Sequence, residues 1–85
     1  MFRTIFTEEA LSHTKNIDKK ILERIITKIN YLAKNADNMQ HTLLSGNLTG
    51  FYKLKVGAWR IVYGLDRENM NIFIHRIGHR REVYR

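Results

Sequence analysis

The sequence predicts an α+β fold in which two N-terminal helices pack on a small, mainly antiparallel sheet, in the order β-α-α-β-β-β. Two patterns support this prediction. Apolar residues recur at helical spacing between residues 21 and 36, whereas apolar and polar positions alternate from residue 51 onward. Glycine and clusters of polar residues separate the alternating segments, as they do between neighbouring strands.

The first strand and the first helix are predicted from local signals. Residues 2–6 are mostly apolar and indicate a short strand. Thr7 follows as a helix N-cap, and Glu8 and Glu9 then occupy the first turn, where carboxylates interact favourably with the helix dipole. We expect this helix to end near Thr14 and Asp18 to cap a second helix.

The second helix carries the longest periodic pattern in the chain. Its polar and charged side chains fall largely on one side, which is typical of a helix that packs its other side against a sheet. The apolar positions are Ile21, Leu22, Ile25, Ile29, Leu32, Ala33 and Ala36.

Three strands are predicted after residues 37–50, which we interpret as a loop. Residues 51–56 and 59–65 alternate between inward and outward positions, and Gly57-Ala58 turns the chain between them. Polar residues 66–69 make the next turn. Residues 71–77 are strongly apolar, as a central strand would be, and Gly78 is expected to end that strand.

Composition limits the class of protein. Eighty-five residues make one small domain, residues 1–85, and a hydrophobic fraction of 44% is typical of a globular chain. The sequence has no cysteine, which excludes disulfide bonds and cysteine-ligated zinc. No apolar run approaches the roughly 18 residues of a membrane span, and no signal peptide precedes the first strand. A cytoplasmic location is therefore predicted.

Positive charge is concentrated in the C-terminal part of the chain. The net charge is +7, of which residues 51–85 carry +5 (eight basic minus three acidic) and residues 1–50 carry +2 (seven minus five). Such a field favours a polyanion, so nucleic acid is the first expectation and an acidic protein the second. The alternative is that the charge serves only solubility.

Period-two spacing predicts where part of this charge lies. Lys53 and Lys55 share one face of their strand, and Arg60 can join that face from the next strand. The alternative is an ordinary solvated face of a half-buried sheet, which often carries lysine and arginine.

A basic tail follows the last strand. It contains His79-Arg80-Arg81, with Tyr84 close behind. Arginine presents a planar fork that suits phosphate oxygens, and tyrosine can stack on an unpaired base or orient a hydroxyl proton. Combined with the strand cations, the tail completes a candidate RNA site of two lysines, two arginines and a tyrosine.

Other conspicuous side chains are predicted to be structural. Trp59, Tyr63, Phe73 and Ile74 have the bulk expected at a sheet–helix interface. His75 lies inside the apolar strand and is expected to be packed or hydrogen-bonded. The remaining histidines show no metal-ligand spacing, so no metal site is predicted.

Two motifs make the interpretation more specific. The run LSGNLTGFYKLKVGAWRIVY (residues 44–63) and the run RIGHRREVY (residues 76–84) resemble the hallmark motifs of RelE toxins from toxin–antitoxin modules. The preceding helix pair agrees with that family, so the resemblance covers essentially the whole chain. It implies a RelE-like fold and a metal-independent, cofactor-free endoribonuclease that cleaves mRNA in the ribosomal A site. It also implies a RelB-type antitoxin, a small and partly disordered protein whose amphipathic helix wraps the toxin.

The resemblance also implies roles for individual residues. The ribose 2′-OH attacks the adjacent phosphorus and the 5′-oxygen leaves, which gives a 2′,3′-cyclic phosphate and a 5′-OH. Lys53 or Lys55 would help to activate the 2′-OH, and this requires a lysine pKa lowered by cationic neighbours. Arg60 would stabilise the pentavalent phosphate, and Arg80 would assist the leaving oxygen. Tyr84 would stack on the substrate or orient it.

Three further residues are candidates for RNA contacts: His79, Arg81 and Arg85. His79 also offers a competing acid–base assignment, because imidazole titrates near neutral pH. The alternative for His79 is a solvated residue without a role.

Two other function classes remain open. A ParE-like toxin shares the fold but acts on DNA gyrase through protein contacts, and it should not need a clustered Lys/Lys/Arg/Arg/Tyr face. A non-enzymatic binder would hold nucleic acid or an acidic partner without cutting. Inhibition of translation or of gyrase separates the first two, and binding without cleavage selects the third.

Overall fold

The computed structural model describes residues 1–84. The α+β architecture of two helices on a mainly antiparallel sheet is confirmed. Short 3-10 turns occupy Ala36–Asn38 and Gly46–Leu48. The longer elements are β1 (Arg3–Phe6), α1 (Glu8–Thr14), α2 (Lys19–Asn35), β2 (Thr42–Leu43), β3 (Tyr52–Val56), β4 (Trp59–Asp66) and β5 (Asn71–His79).

Two details of the prediction are wrong. Residues 37–50 are not only a loop, because they contain β2, which pairs antiparallel with β3. Gly78 does not end the last strand, because β5 continues to His79 and Gly78 pairs with Arg60 of β4. Glycine suits this position, since a Cβ there would lie only 3.3 Å from the Cβ of Val83, which packs over it.

Both helices begin where the sequence predicts. The Thr7 hydroxyl accepts a hydrogen bond from the backbone N–H of Ala10 at 3.1 Å. The Asp18 carboxylate accepts one from the backbone N–H of Lys20, also at 3.1 Å. Each bond satisfies an N–H group that has no carbonyl partner in the first helical turn. The predicted end of α1 at Thr14 is confirmed as well.

The sheet has the strand order β1-β5-β4-β3-β2. β1 runs parallel to β5, whereas the other neighbouring strands are antiparallel. β1 ends at Phe6, and α1 then lies along the remaining edge of β5. There Thr7 Oγ1 donates to the carbonyl of His75 (3.2 Å), and His13 Nδ1 accepts from the backbone N–H of Ile77 (3.2 Å). α1 therefore continues the hydrogen bonding of β5 after β1 stops.

The core lies between α2 and one face of the sheet. Ile25, Ile29 and Leu32 of α2 are at most 1% exposed, and they share one buried cluster with Ile61 and Ile74 of the central strands. Burial of each such side chain contributes about 1.5–3 kcal/mol relative to exposure. No helix within residues 1–84 is both long enough and apolar enough to cross a membrane.

Three of the four conspicuous residues predicted in the core are found there. Tyr63 and Ile74 are fully buried, and Trp59 packs against the core while partly exposed. Phe73 is 37% exposed, so its predicted place in the core is wrong. Successive strand residues point to opposite faces, and Phe73 therefore cannot share the core with Ile74.

Tyr63 connects the core to the segment before β2. His41 Nε2 lies 2.8 Å from the carbonyl oxygen of Ala36, which can only accept, so Nε2 carries the proton. In the neutral imidazole, His41 Nδ1 then accepts the bond from the Tyr63 hydroxyl at 2.6 Å. Burial raises the pKa of Tyr63 to about 12, and the neighbouring Tyr52 adds to the rise.

Candidate functional site

The face of the sheet opposite α2, which we call the open face, gathers three of the predicted site residues. β3 contributes Lys53 and Lys55, and β4 contributes Arg60. Lys55 and Arg60 are direct cross-strand neighbours, and Lys53 lies opposite Val62. Lys55 is exposed, while Lys53 and Arg60 are partly buried. Their common face follows from the period of two that predicted it.

The Arg60 guanidinium is anchored at the turn between β3 and β4. Its Nη1 donates to the carbonyl of Gly57 and to that of Trp59, both at 2.8 Å. Gly57 has a positive φ of 59°, which glycine adopts readily and which brings its carbonyl into this tight turn. Nε and Nη2 of Arg60 have no hydrogen-bond partner among residues 1–84, so they remain able to bind an anion.

In the described part of the chain, Lys53, Lys55 and Arg60 have no acidic partners, whereas Arg76, which lies opposite Val62 on the same face, is paired with Glu9. Within residues 1–84, the ion pairs join Arg67 to Asp37 and Arg76 to Glu9, and neither involves β3. Like charges directly opposite each other on neighbouring strands destabilise a sheet, and Lys55 and Arg60 are such a pair. This arrangement favours an anion placed between them.

The tail turns back beside the hairpin of β3 and β4. The backbone N–H of Arg80 donates to the carbonyl of Ala58 at 2.8 Å, and the N–H groups of Glu82 and Val83 both donate to the carbonyl of His79. Val83 is 6% exposed and packs against Gly78. The guanidinium-bearing residues Arg80 and Arg81 are exposed. The backbone of Arg80 is therefore held next to the turn that anchors Arg60.

Tyr84 lies beside the loop between β2 and β3. It is 39% exposed and lines a shallow cavity of about 350 Å³ together with residues 44–48. The tyrosine ring is thus accessible, as stacking on a base requires. Arg85, which we predicted from the sequence to contact RNA, lies outside the described residues.

His79 is not on the open face. It is the cross-strand partner of Trp59, whose side chain packs against the core, and the two rings meet edge to face at 5.9 Å. His79 Nδ1 accepts a hydrogen bond from the backbone N–H of Arg81 at 3.3 Å. The structure therefore separates His79 from Lys53 and Lys55 by the thickness of the sheet.

A ring pair on the open face was not foreseen. Phe51 and His75 stack at 4.7 Å between ring centroids, with an angle of 9° between the ring planes. A register shift between Val62 and Tyr63 makes a β-bulge in the pairing of β4 with β5, and His75 is the residue left without a partner. The sequence signal for this bulge was the pair of successive polar residues, His75 and Arg76, in an otherwise apolar strand. His75 is packed, as predicted, but not in the core beneath the helices.

The geometry allows anion binding and offers limited acid–base chemistry. Among the described residues, three cations without an acidic partner share one face with the paired Arg76, and Arg80 can approach from the tail. The proton-transfer candidates beside Arg60 are the two lysines, because within residues 1–84 no carboxylate forms an ion pair with Lys53, Lys55 or Arg60. No group of three or more His, Asp or Glu side chains in the described chain could hold a metal ion.

A protein-family model covers nearly the whole sequence. The model described as "ParE toxin of type II toxin-antitoxin system, parDE" matches residues 4–84. No curated protein sequence matches the chain at a significant level.

Solved structures provide the fold comparison. The RelBE2 toxin–antitoxin complex from Mycobacterium tuberculosis matches with a TM-score of 0.81 and 22% identity, over 92% of this chain and 96% of the other. The isolated E. coli RelE toxin matches with a TM-score of 0.77 and 20% identity, over 93% and 84%. A YoeB/ParE toxin from Agrobacterium tumefaciens matches with a TM-score of 0.72 and 13% identity, over 92% and 98%. At these identities the likeness establishes the fold.

Proposed function

We propose that this chain, which belongs to the ParE toxin family of type II toxin–antitoxin systems, is a metal-independent endoribonuclease that cleaves mRNA on the ribosome and so inhibits translation. One observation carries the proposal: Lys53, Lys55 and Arg60 lie on one face without acidic partners. A cationic face of this kind suits the phosphates of a nucleic acid better than it suits the surface of a folded protein. Translated mRNA is in the cytoplasm, where we propose that the toxin acts.

The proposed reaction is an internal transesterification. The 2′-oxygen forms a bond to the adjacent phosphorus, the bond from phosphorus to the 5′-oxygen breaks, and the products are a 2′,3′-cyclic phosphate and a 5′-OH. Lys53 or Lys55, in its neutral form, takes the proton of the 2′-OH. Nε and Nη2 of Arg60 bind the equatorial phosphate oxygens, where negative charge develops.

The tail supplies the remaining groups. Arg80 stabilises the departing 5′-oxygen by its charge, and that oxygen receives its proton from solvent or from the second lysine. Tyr84 stacks on a base next to the cleaved bond. Arg81 and Arg85 contact phosphates farther along the strand. His79 lies on the other side of the sheet, so a contact with RNA would come from a strand that passes around the hairpin.

We further propose that a RelB-type antitoxin restrains this toxin. Several structural relatives are complexes with such proteins, including an intact E. coli RelBE complex and an archaeal complex from Pyrococcus horikoshii. A partly disordered partner with an amphipathic helix would wrap the domain and cover or distort the open face. Co-expression of the neighbouring small open reading frame should restore growth and yield a stable complex. Failure of both would remove this part of the proposal.

The matching family description names ParE, and the second candidate we propose is therefore a ParE-like toxin that acts on DNA gyrase. Such a protein binds through protein–protein contacts and does not require unpaired cations on a sheet face. Inhibition of purified gyrase in a supercoiling assay, with no effect on cell-free translation, would support this candidate.

Induced expression with matched lysine variants tests the proposed function. Wild-type protein should arrest growth and create new mRNA 5′ ends within translated regions. Lys53→Ala/Lys55→Ala should reduce cleavage by roughly 10²-fold or more, because a general base and phosphate contacts are lost. Lys15→Ala/Lys34→Ala removes the same charge from exposed sites elsewhere and should leave cleavage unchanged. Growth arrest with intact mRNA would overturn the nuclease.

A further inference from the structure

The Phe51–His75 ring pair has no role in the chemistry above, although it stands on the same face as the cations. Phe51 lies immediately before β3 and precedes Lys53 by two residues, so its ring and the two ammonium groups follow one another along the same face. At about 3.3 Å per residue, Phe51 and Lys55 are roughly 13 Å apart along the strand direction. An extended strand of RNA could contact both.

The ring pair depends on two local features of the sheet. The β-bulge in β5 gives His75 no partner in β4, which frees its ring to lie parallel to that of Phe51. Gly64 lies beneath the Phe51 ring, since a Cβ at that position would be 3.7 Å from it. Bulges often redirect a side chain next to a functional site.

The pair is also available to a ligand. Both residues are partly exposed, and neither belongs to the core cluster beneath the helices. The His75 ring nitrogens form no hydrogen bond with any residue in the described part of the chain. The pair therefore presents an aromatic surface together with a polar edge that a ligand could use.

We propose that Phe51 and His75 form a stacking site for an unpaired nucleobase of single-stranded RNA, whose phosphates lie on Lys53 and Lys55. The inference rests on the proposed function and assigns the base-binding part of the same face. Proteins that bind single-stranded RNA combine a cationic track with aromatic rings in this way. The stack itself accepts any base, because every base has an aromatic face. A hydrogen bond from His75 to the edge of the base would favour some bases over others.

Binding of uncleavable RNA tests the site without relying on catalysis. The probes are a 2′-O-methyl uridine hexamer and a hexamer of the same sugar-phosphate chain without bases, each titrated into wild-type protein and followed by two-dimensional NMR. We expect wild type to bind the base-bearing probe at least about fivefold more tightly, given the energy of one base stacked on an aromatic ring. Phe51→Leu keeps the apolar bulk and should reduce that difference severalfold, and the part that remains is the contribution of other stacking residues such as Tyr84.

Two control variants guard against indirect effects. Phe51→Trp preserves stacking and should retain the preference for bases. Tyr31→Leu removes an aromatic ring that is 51% exposed on α2 and should leave both affinities unchanged. Thermal melting of each variant establishes that the fold is intact. If Phe51→Leu retains the full preference for bases, the ring pair is structural and the proposal is overturned.

The same titration separates failure of the base site from failure of the proposed function. If wild type prefers the base-bearing probe through Phe51 but cuts no mRNA in cells, the base site stands and the nuclease does not. If wild type cuts mRNA in cells while Phe51→Leu prefers the base-bearing probe as strongly as wild type does, the nuclease stands and the base site does not. If wild type binds neither probe, the base site is overturned whatever the cleavage result.

Discussion

The covered face of the sheet, which packs against α2, and the open face are built from the same strands but differ in what their side chains contribute. On the covered face, Leu54, Ile61 and Ile74 meet the helices and are at most 9% exposed. On the open face, Lys55 and Arg60 stand side by side without an acidic partner among residues 1–84. The first arrangement stabilises the fold, whereas the second costs stability through like-charge repulsion. Such local conflicts are expected where a surface serves binding.

Neighbouring residues of β5 offer the largest expected difference between the faces. Ile74→Ala should lower the free energy of unfolding by about 2–5 kcal/mol, because it leaves a cavity at a fully buried position. Phe73→Ala removes more atoms from the open face but should cost less than about 1.5 kcal/mol, because Phe73 is 37% exposed. Urea denaturation followed by circular dichroism measures both. Equal losses would contradict the distinction between the faces.

The pH dependence of unfolding tests whether the Tyr63 phenol on the covered face is shielded from solvent. An unfolded tyrosine ionises near pH 10, whereas native Tyr63 ionises at about pH 12, so the native protein retains a proton that the unfolded chain releases. Stability contributed by Tyr63 should therefore be present below pH 10 and fall as the pH rises towards 12, by at most about 1.4 kcal/mol per pH unit.

Tyr63→Phe isolates this contribution, because lysines titrate in the same range in both proteins. The variant should lose about 1 kcal/mol at neutral pH with the hydrogen bond to His41, and its stability should fall less steeply above pH 10. Parallel pH profiles for the two proteins would show that solvent reaches the phenol.

Lysine substitution on the open face should have the smallest effect on stability. Lys55→Ala removes one partner of a like-charge pair, so the free energy of unfolding should stay within about 0.5 kcal/mol of wild type or rise slightly. Lys34→Ala, at an exposed site on α2, is the matched control. A loss comparable to that of Ile74→Ala would make Lys55 a structural residue and weaken the case for a binding face.

Much of the fold could be predicted because its signals are local. Thr7 and Asp18 begin helices through hydrogen bonds that span two or three residues. The alternation in residues 51–65 determines which side chains share a face of the sheet. The common position of Lys53, Lys55 and Arg60 on the open face therefore follows from their spacing in the sequence.

The errors arose where distant residues decide the outcome. The two-residue strand β2 has too short a pattern to predict and exists because β3 offers it a partner. Glycine often marks the end of a strand, yet at Gly78 the strand continues and Val83 packs over the glycine. The bulge at His75 depends on the register between β4 and β5, which no single segment of sequence specifies.

The pairing of α1 with β5 has a consequence for self-association. β1 stops after four residues, and α1 then occupies the edge of β5 through Thr7 and His13. The opposite side of the sheet ends at β2, which is two residues long. Both borders of the sheet are thus too short to template strands of another molecule, and short or covered edges of this kind protect β proteins against amyloid-like aggregation.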